Sequence, residues 1–185
     1  MKTDFKRELD CYSARRGRFD LVDVPDLRYL MIDGSGDPNG GAFGDAAAAL
    51  YPVAYRLKFA SKRLGRDYVV MPLEGLWWAD DMESFTGSRD KSRWHWTLMI
   101  MVPGEIDEAL VDGGVRVGTL SEGRCVQTLH VGSFDDEAET LARMHHEFIP
   151  AGGLRMTGRH HEIYLSDPRK TAPERLRTIL RQPVA

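Results

Sequence analysis

Polar and apolar positions alternate most cleanly over residues 159–168, Arg-His-His-Glu-Ile-Tyr-Leu-Ser-Asp-Pro. Period-two alternation predicts a strand with two unlike faces. His161, Ile163 and Leu165 fall on one face, and His160, Glu162 and Tyr164 fall on the other. The second face carries a carboxylate and a phenol side by side. Because a lone buried carboxylate is costly, that face either meets water or lines a cavity that holds a ligand.

The same reading extends along the chain. Residues 1–17 are polar, with Phe5, Leu9 and Tyr12 as anchors onto the body. Residues 18–24 and 27–33 read as two strands of a hairpin around Pro25-Asp26. The Gly-rich loop 34–41 lacks the Gly-Lys-Ser/Thr ending of a phosphate loop, so nucleotide binding is not expected. Residues 44–64 carry Phe43, Ala47, Leu50, Ala54 and Leu57 at helical spacing, with Tyr51, Tyr55 and Lys58 on a neighbouring stripe and Pro52 as either a bend or the helix's true start. Residues 69–79 predict a strand with Glu74, Leu76 and Trp78 on one face, and a polar loop follows at 80–91. A long strand over 93–102 puts Trp94 and Trp96 on one face and His95 and Thr97 on the other.

A short helix at 105–111 precedes a second predicted hairpin, 115–120 with 124–131. Ser133 and Asp136 have the spacing of a capping box before a helix over 135–149. The strand at 160–165 and a last strand at 175–183 complete the chain. The order strand, strand, helix, strand, strand therefore occurs twice, in about 18–102 and 115–183, within one domain of residues 1–185. The expected fold is α+β. Two duplicated halves form one curved antiparallel sheet, with helices on one face and a ligand groove on the other. Glu162, Tyr164 and some of the tryptophans would converge in that groove.

Composition narrows the function classes. The 185 residues are 42% hydrophobic with a formal net charge of −3, ordinary for a folded domain. Basic residues are dispersed apart from Arg15, Arg16 and Arg18, so nucleic acid is not an expected partner. No apolar run approaches a membrane span and the N-terminus lacks a signal-peptide core, which predicts a cytoplasmic protein. Cys11 and Cys125 are expected as reduced thiols. His145-His146-Glu147 and His160-His161-Glu162 point their neighbours in different directions, so neither predicts a metal site, and no cofactor is expected.

Three segments resemble a known family. Pro72-Leu-Glu-Gly-Leu-Trp-Trp78, Cys125-Val-Gln-Thr-Leu-His-Val-Gly-Ser-Phe-Asp135 and the block from His161 to Leu176 resemble the GyrI-like small-molecule-binding family, and within it the stand-alone branch that includes cyclopropanoid cyclopropyl hydrolases. The resemblance runs over nearly the whole chain. It implies a ligand groove between two halves, a strand Glu, here Glu162, facing the ligand, and a ligand-binding module without a DNA-binding segment. It further implies hydrolysis of a strained cyclopropane fused to a dienone, with Glu162 and Tyr164 as the catalytic pair. Trp78, Trp94 and Trp96 would stack a flat substrate, with Tyr51, Tyr55, Glu74 and His160 as further ligand contacts. Glu74 equally suits a pairing with a nearby arginine, and Tyr51 and Tyr55 a place in the core with wet hydroxyls. The alternative is binding without turnover, a sensor or sequestering module for a lipophilic aromatic cation. A protein partner such as gyrase would follow from analogy with the family's namesake alone and is not expected.

Overall fold

The computed structural model describes residues 2–80 and 90–185. The expected loop at 80–91 falls almost wholly on residues 81–89, outside the described residues. Eight strands form one sheet: β1 (Asp20–Val24), β2 (Leu27–Ser35), β3 (Leu73–Trp78), β4 (His95–Val102), β5 (Arg116–Leu120), β6 (Gly123–Val131), β7 (His160–Tyr164) and β8 (Arg177–Pro183). Their order is β1-β6-β8-β7-β3-β4-β2-β5, every pair antiparallel, in an open curved α+β sheet. Read from the other end, the order is the same once β1–β4 are exchanged for β5–β8.

The two expected hairpins do not form. β1 pairs with β6 and β2 pairs with β5, so the ribbon 20–31 runs antiparallel to 116–127 and is interrupted on both strands at the same level, by 25–26 and 121–122. Pro25-Asp26 acts as a bend between two collinear strands. A two-residue link spans at most roughly 10 Å. Because β1 lies at one edge of the sheet and β2 next to the other, the sheet must curl until its two ends approach.

After a short helix α1 (Phe5–Glu8), helix α2 (Gly41–Arg63) begins three residues earlier than the pattern predicts and runs through Pro52. Its buried residues include Ala46, Leu50, Val53, Ala54 and Leu57, and it packs on β2 and β4. The second helical segment is broken where a single helix is expected. A 3-10 turn at Phe134–Asp136 leads into α3 (Glu137–Ala142), a π-helical turn over Arg143–Phe148 and a short α-helix, Ile149–Ala151. Ser133 Oγ donates to Asp136 Oδ2 at 2.6 Å instead of forming a capping box. Residues 105–111 hold only a 3-10 turn at Glu108–Leu110.

Both helical segments lie on one face. Phe43 of α2 stacks on Trp77, and Met144 and Ile149 cluster with Val126 and Leu180. The register places Trp77, His160, Glu162, Leu180 and Val126 on that same face. The N-terminal segment adds cover elsewhere: Cys11 and Tyr12 are buried, and both cysteines are free thiols. No helix among the described residues is long and apolar enough to cross a membrane.

Candidate functional site

Alternation along β7 puts His160, Glu162 and Tyr164 on the helix-bearing face, not on the opposite face where the ligand groove was expected. The three side chains form one hydrogen-bonded group. Tyr164 Oη donates to Glu162 Oε2 at 2.8 Å and accepts from Trp77 Nε1 at 3.0 Å. His160 Nε2 lies 3.1 Å from Glu162 Oε1. Both carboxylate oxygens are thus engaged, and the side chains of Glu162 and His160 keep only 13% and 11% of their exposure. Burial pushes the Tyr164 phenol well above its ordinary range, and the charge and hydrogen bond of Glu162 push it further. Tyr164 is therefore a proton-bearing donor at neutral pH.

Gly75 lies directly opposite Glu162 in the β3–β7 register. A β-carbon there would stand 2.8 Å from Trp77 Nε1 and 3.0 Å from Tyr164 Oη. The glycine is what lets indole and phenol meet.

Aromatic rings wall the group. Trp94 packs edge-on against Trp77, with centroids 5.9 Å apart, and Phe134 packs edge-on against Tyr164 at 5.7 Å. Phe134 remains 41% exposed, on the solvent side of the group. From the π-helical turn, His145 reaches the ring of His160, 6.0 Å away and edge-on. Burial, with the neighbouring His160 and His146, lowers the His145 pKa to about 4, so this imidazole is neutral.

The other expected site residues scatter. Trp96 is on the correct face but sealed, its ring lying against Gly34 and under Phe43. Trp78 is on the opposite face, stacked on His95 with the Arg159 guanidinium 3.5 Å from its ring centroid. Tyr51 is half-buried near Asp167 and Arg169, and burial raises its pKa. Tyr55 is 48% exposed and leans on Phe59 on the outside of α2. The sequence pattern does not single out Trp77, Phe134 or His145. Trp77 had a legible signal, since alternation sends it to the face opposite Glu74. His145 had none, because the π turn that aims it has no sequence pattern of its own.

Glu74 is also on the opposite face, fully buried in a charge network. Its oxygens accept from Tyr12 Oη at 2.5 Å and pair with His161 Nε2 at 2.8 Å. His161 Nδ1 lies 2.9 Å from Glu122 Oε1, and Arg181 Nη1 donates to Glu122 Oε2 at 2.9 Å. Arg181 also donates to Gln127 and to the Cys11 carbonyl. Every charge here is matched, so the network holds structure and has no free group to offer a ligand. Among the described residues, no three His, Cys, Asp or Glu side chains gather as metal ligands would.

A curled eight-stranded antiparallel sheet, carrying a half-buried carboxylate among aromatic rings between two helical segments, defines an α+β small-molecule-binding domain. The chain belongs to the GyrI-like family: the GyrI-like small molecule binding domain matches residues 18–185. Over the full length of both chains it is similar to a conserved protein of Listeria innocua (39% identity, TM-score 0.89). It is likewise similar over both full lengths to two hydrolases of the same organism (36% and 37% identity, TM-scores 0.86 and 0.83). The C-terminal domain of EcmrR, at 12% identity over 91% of this chain and 97% of that one with a TM-score of 0.57, shares the fold. No curated protein sequence matches the chain.

Proposed function

We propose that this GyrI-like domain hydrolyses a flat aromatic molecule bearing a strained cyclopropane, of the kind found in DNA-alkylating natural products, and thereby detoxifies it. The observation that carries this reading is the Glu162 carboxylate, held by His160 and Tyr164 beneath an aromatic wall. The likeness to the two Listeria hydrolases supports hydrolysis as the reaction class.

The chemistry balances with water alone. A water oxygen bonds to the cyclopropane carbon, the strained C–C bond breaks, and its electron pair moves into the ring to make a phenolate of the dienone carbonyl. Glu162 takes a proton from the attacking water, and the phenolate ends protonated. The pair of groups suits this division. Glu162 would act as the base, and Tyr164, kept protonated by burial and by Glu162, would turn its one proton from Glu162 to the oxyanion as charge develops there. Trp77, Trp94 and Phe134 supply edges and faces for a planar substrate, each contact adding about 0.5–1.5 kcal/mol beyond area burial.

Incubating the purified protein with a cyclopropane-bearing alkylator and following the ring-opened, hydrated phenol by mass spectrometry tests the proposal. Turnover above buffer that disappears in Glu162→Gln is the expected result, and hydration no faster than buffer overturns it. The same carboxylate among rings also favours a second reading, capture of a lipophilic aromatic cation without turnover. Saturable quenching of tryptophan fluorescence by such cations, with no product formed, would select that reading.

A further inference from the structure

A hollow of about 300 Å³ opens beside β6, between the residues ahead of β1 and the first turns of the second helical segment. None of the groups around Glu162 lines it. Arg16 and Arg143 stand in its walls, with Thr128, His130, Asp136 and Thr140, over Phe19. We infer that this hollow is a binding site for a small tetrahedral oxyanion, the phosphate group of a small phosphorylated molecule.

Charge is the first argument. Neither Arg16 nor Arg143 has a carboxylate partner among the described residues, whereas Arg18, close by, is paired with Asp20. Two unneutralised guanidiniums sharing one concavity focus positive potential on its interior. The planar guanidinium fork also matches phosphate oxygens better than an ammonium does. Asp136 is the acid of this lining, and its Oδ2 already accepts the Ser133 hydroxyl. The arginines and the aspartate of the lining carry two positive charges and one negative, or +1.

The second argument is that the walls are built. The backbone at Arg16 is held by a parallel bridge to Leu129, reinforced by the Leu129 amide on the Arg15 carbonyl, and its exposed side chain starts from that fixed point. The Arg143 guanidinium lies over the Phe19 ring at 5.7 Å, and Phe19 packs on Phe148 at 5.2 Å, so the charged head of this arginine faces an aromatic floor. His130 Nε2 lies 2.9 Å from the Ser133 carbonyl, which requires the proton on that nitrogen and holds the ring in place. Thr128 is buried and Thr140 half-buried, so two hydroxyls line the hollow out of bulk water.

Titrating the full chain with inorganic phosphate, sulfate and acetate, each followed by backbone amide shifts and calorimetry, tests the inference. Expected is saturable phosphate binding that moves the amides of Thr128, His130 and Thr140 and weakens with added salt. Arg16→Ala and Arg143→Ala should each weaken it at least about tenfold, and the lysine variants less. Asp136→Asn should tighten it, because one repelling charge is removed. Arg159→Ala, on the opposite face, should leave it unchanged. Sulfate binding as tightly as phosphate identifies the ligand group as a general tetrahedral oxyanion and keeps the site. The absence of saturation, alanine variants that bind like wild type, or acetate binding equally well would each overturn it. Because none of these readouts involves cyclopropane hydrolysis, the outcome is independent of the activity proposed for Glu162.

Discussion

Glu162 holds two hydrogen-bond partners of unlike character, an imidazole on one oxygen and a phenol on the other. That asymmetry gives the two single substitutions at this site different signatures. Glu162→Gln removes the charge at near-constant shape, so hydration of a cyclopropane-bearing alkylator should fall by about 10²–10⁴-fold, the usual share of a general base. Its urea midpoint should move little. Tyr164→Phe keeps the carboxylate but strands Trp77 Nε1 without its acceptor, which costs about 1–3 kcal/mol in a urea titration as well as rate. A Tyr164→Phe protein as stable as wild type would show that the indole–phenol bond contributes nothing to folding. Glu162 and Tyr164 were legible in the sequence because two residues apart on a strand means the same face. The pattern does not choose between Trp77 and Trp78, because alternation sorts residues into two sets without saying which set meets which on the next strand.

At the level of elements, the site rests on the pairing of β3 with β7, and there the sequence pattern misleads by one position. Glu74 and Glu162 look equivalent in the third strands of the two halves, yet Gly75 is the residue opposite Glu162. A shift of one residue moves a side chain to the other face, so Glu74 ends in the buried ionic network and Gly75 makes the room in which Trp77 and Tyr164 bond. No positive φ constrains Gly75, so Gly75→Ala should fold. Its methyl would force the indole and phenol apart, and activity should drop by tenfold or more with a far-ultraviolet dichroism spectrum like that of wild type. Undiminished activity would mean the Trp77–Tyr164 bond is not needed. Strand and helix order, by contrast, was largely readable from periodicity. The hairpins were not, because a Pro-Asp pair between two strands is the same signal whether the chain reverses or, as here, bends and continues.

Across the whole molecule, the face opposite Glu162 is held by charges that belong to distant parts of the chain: Tyr12 and the Cys11 carbonyl, Glu74, Glu122, His161 and Arg181. Burial alone would discharge His161, but the charge and hydrogen bond of Glu122 and the bond to Glu74 outweigh it and raise the pKa to about 9. Burial likewise opposes the Glu122 carboxylate, yet His161 and Arg181 hold its pKa down at about 2. The two shifts act on opposite sides of neutrality. The His161 contribution is complete below its ordinary 6.5 and is lost as pH rises through 9; that of Glu122 is present above its ordinary 4.5 and is lost as pH falls through 2. Unfolding free energy should therefore decline from 6.5 to 9, by something on the order of 3 kcal/mol. It should also fall as pH drops from 6.5 toward 4, where the unfolded chain takes up the proton that buried His145 refuses. Urea titrations at a series of pH values measure both, and His161→Gln should abolish the decline above 6.5. Where that variant folds too weakly to assay, nuclear magnetic resonance of the wild-type imidazole gives the same answer: the His161 ring should still be protonated at pH 8. A ring that titrates near 6.5 would mean that this network holds the sheet together without a charge on its central histidine.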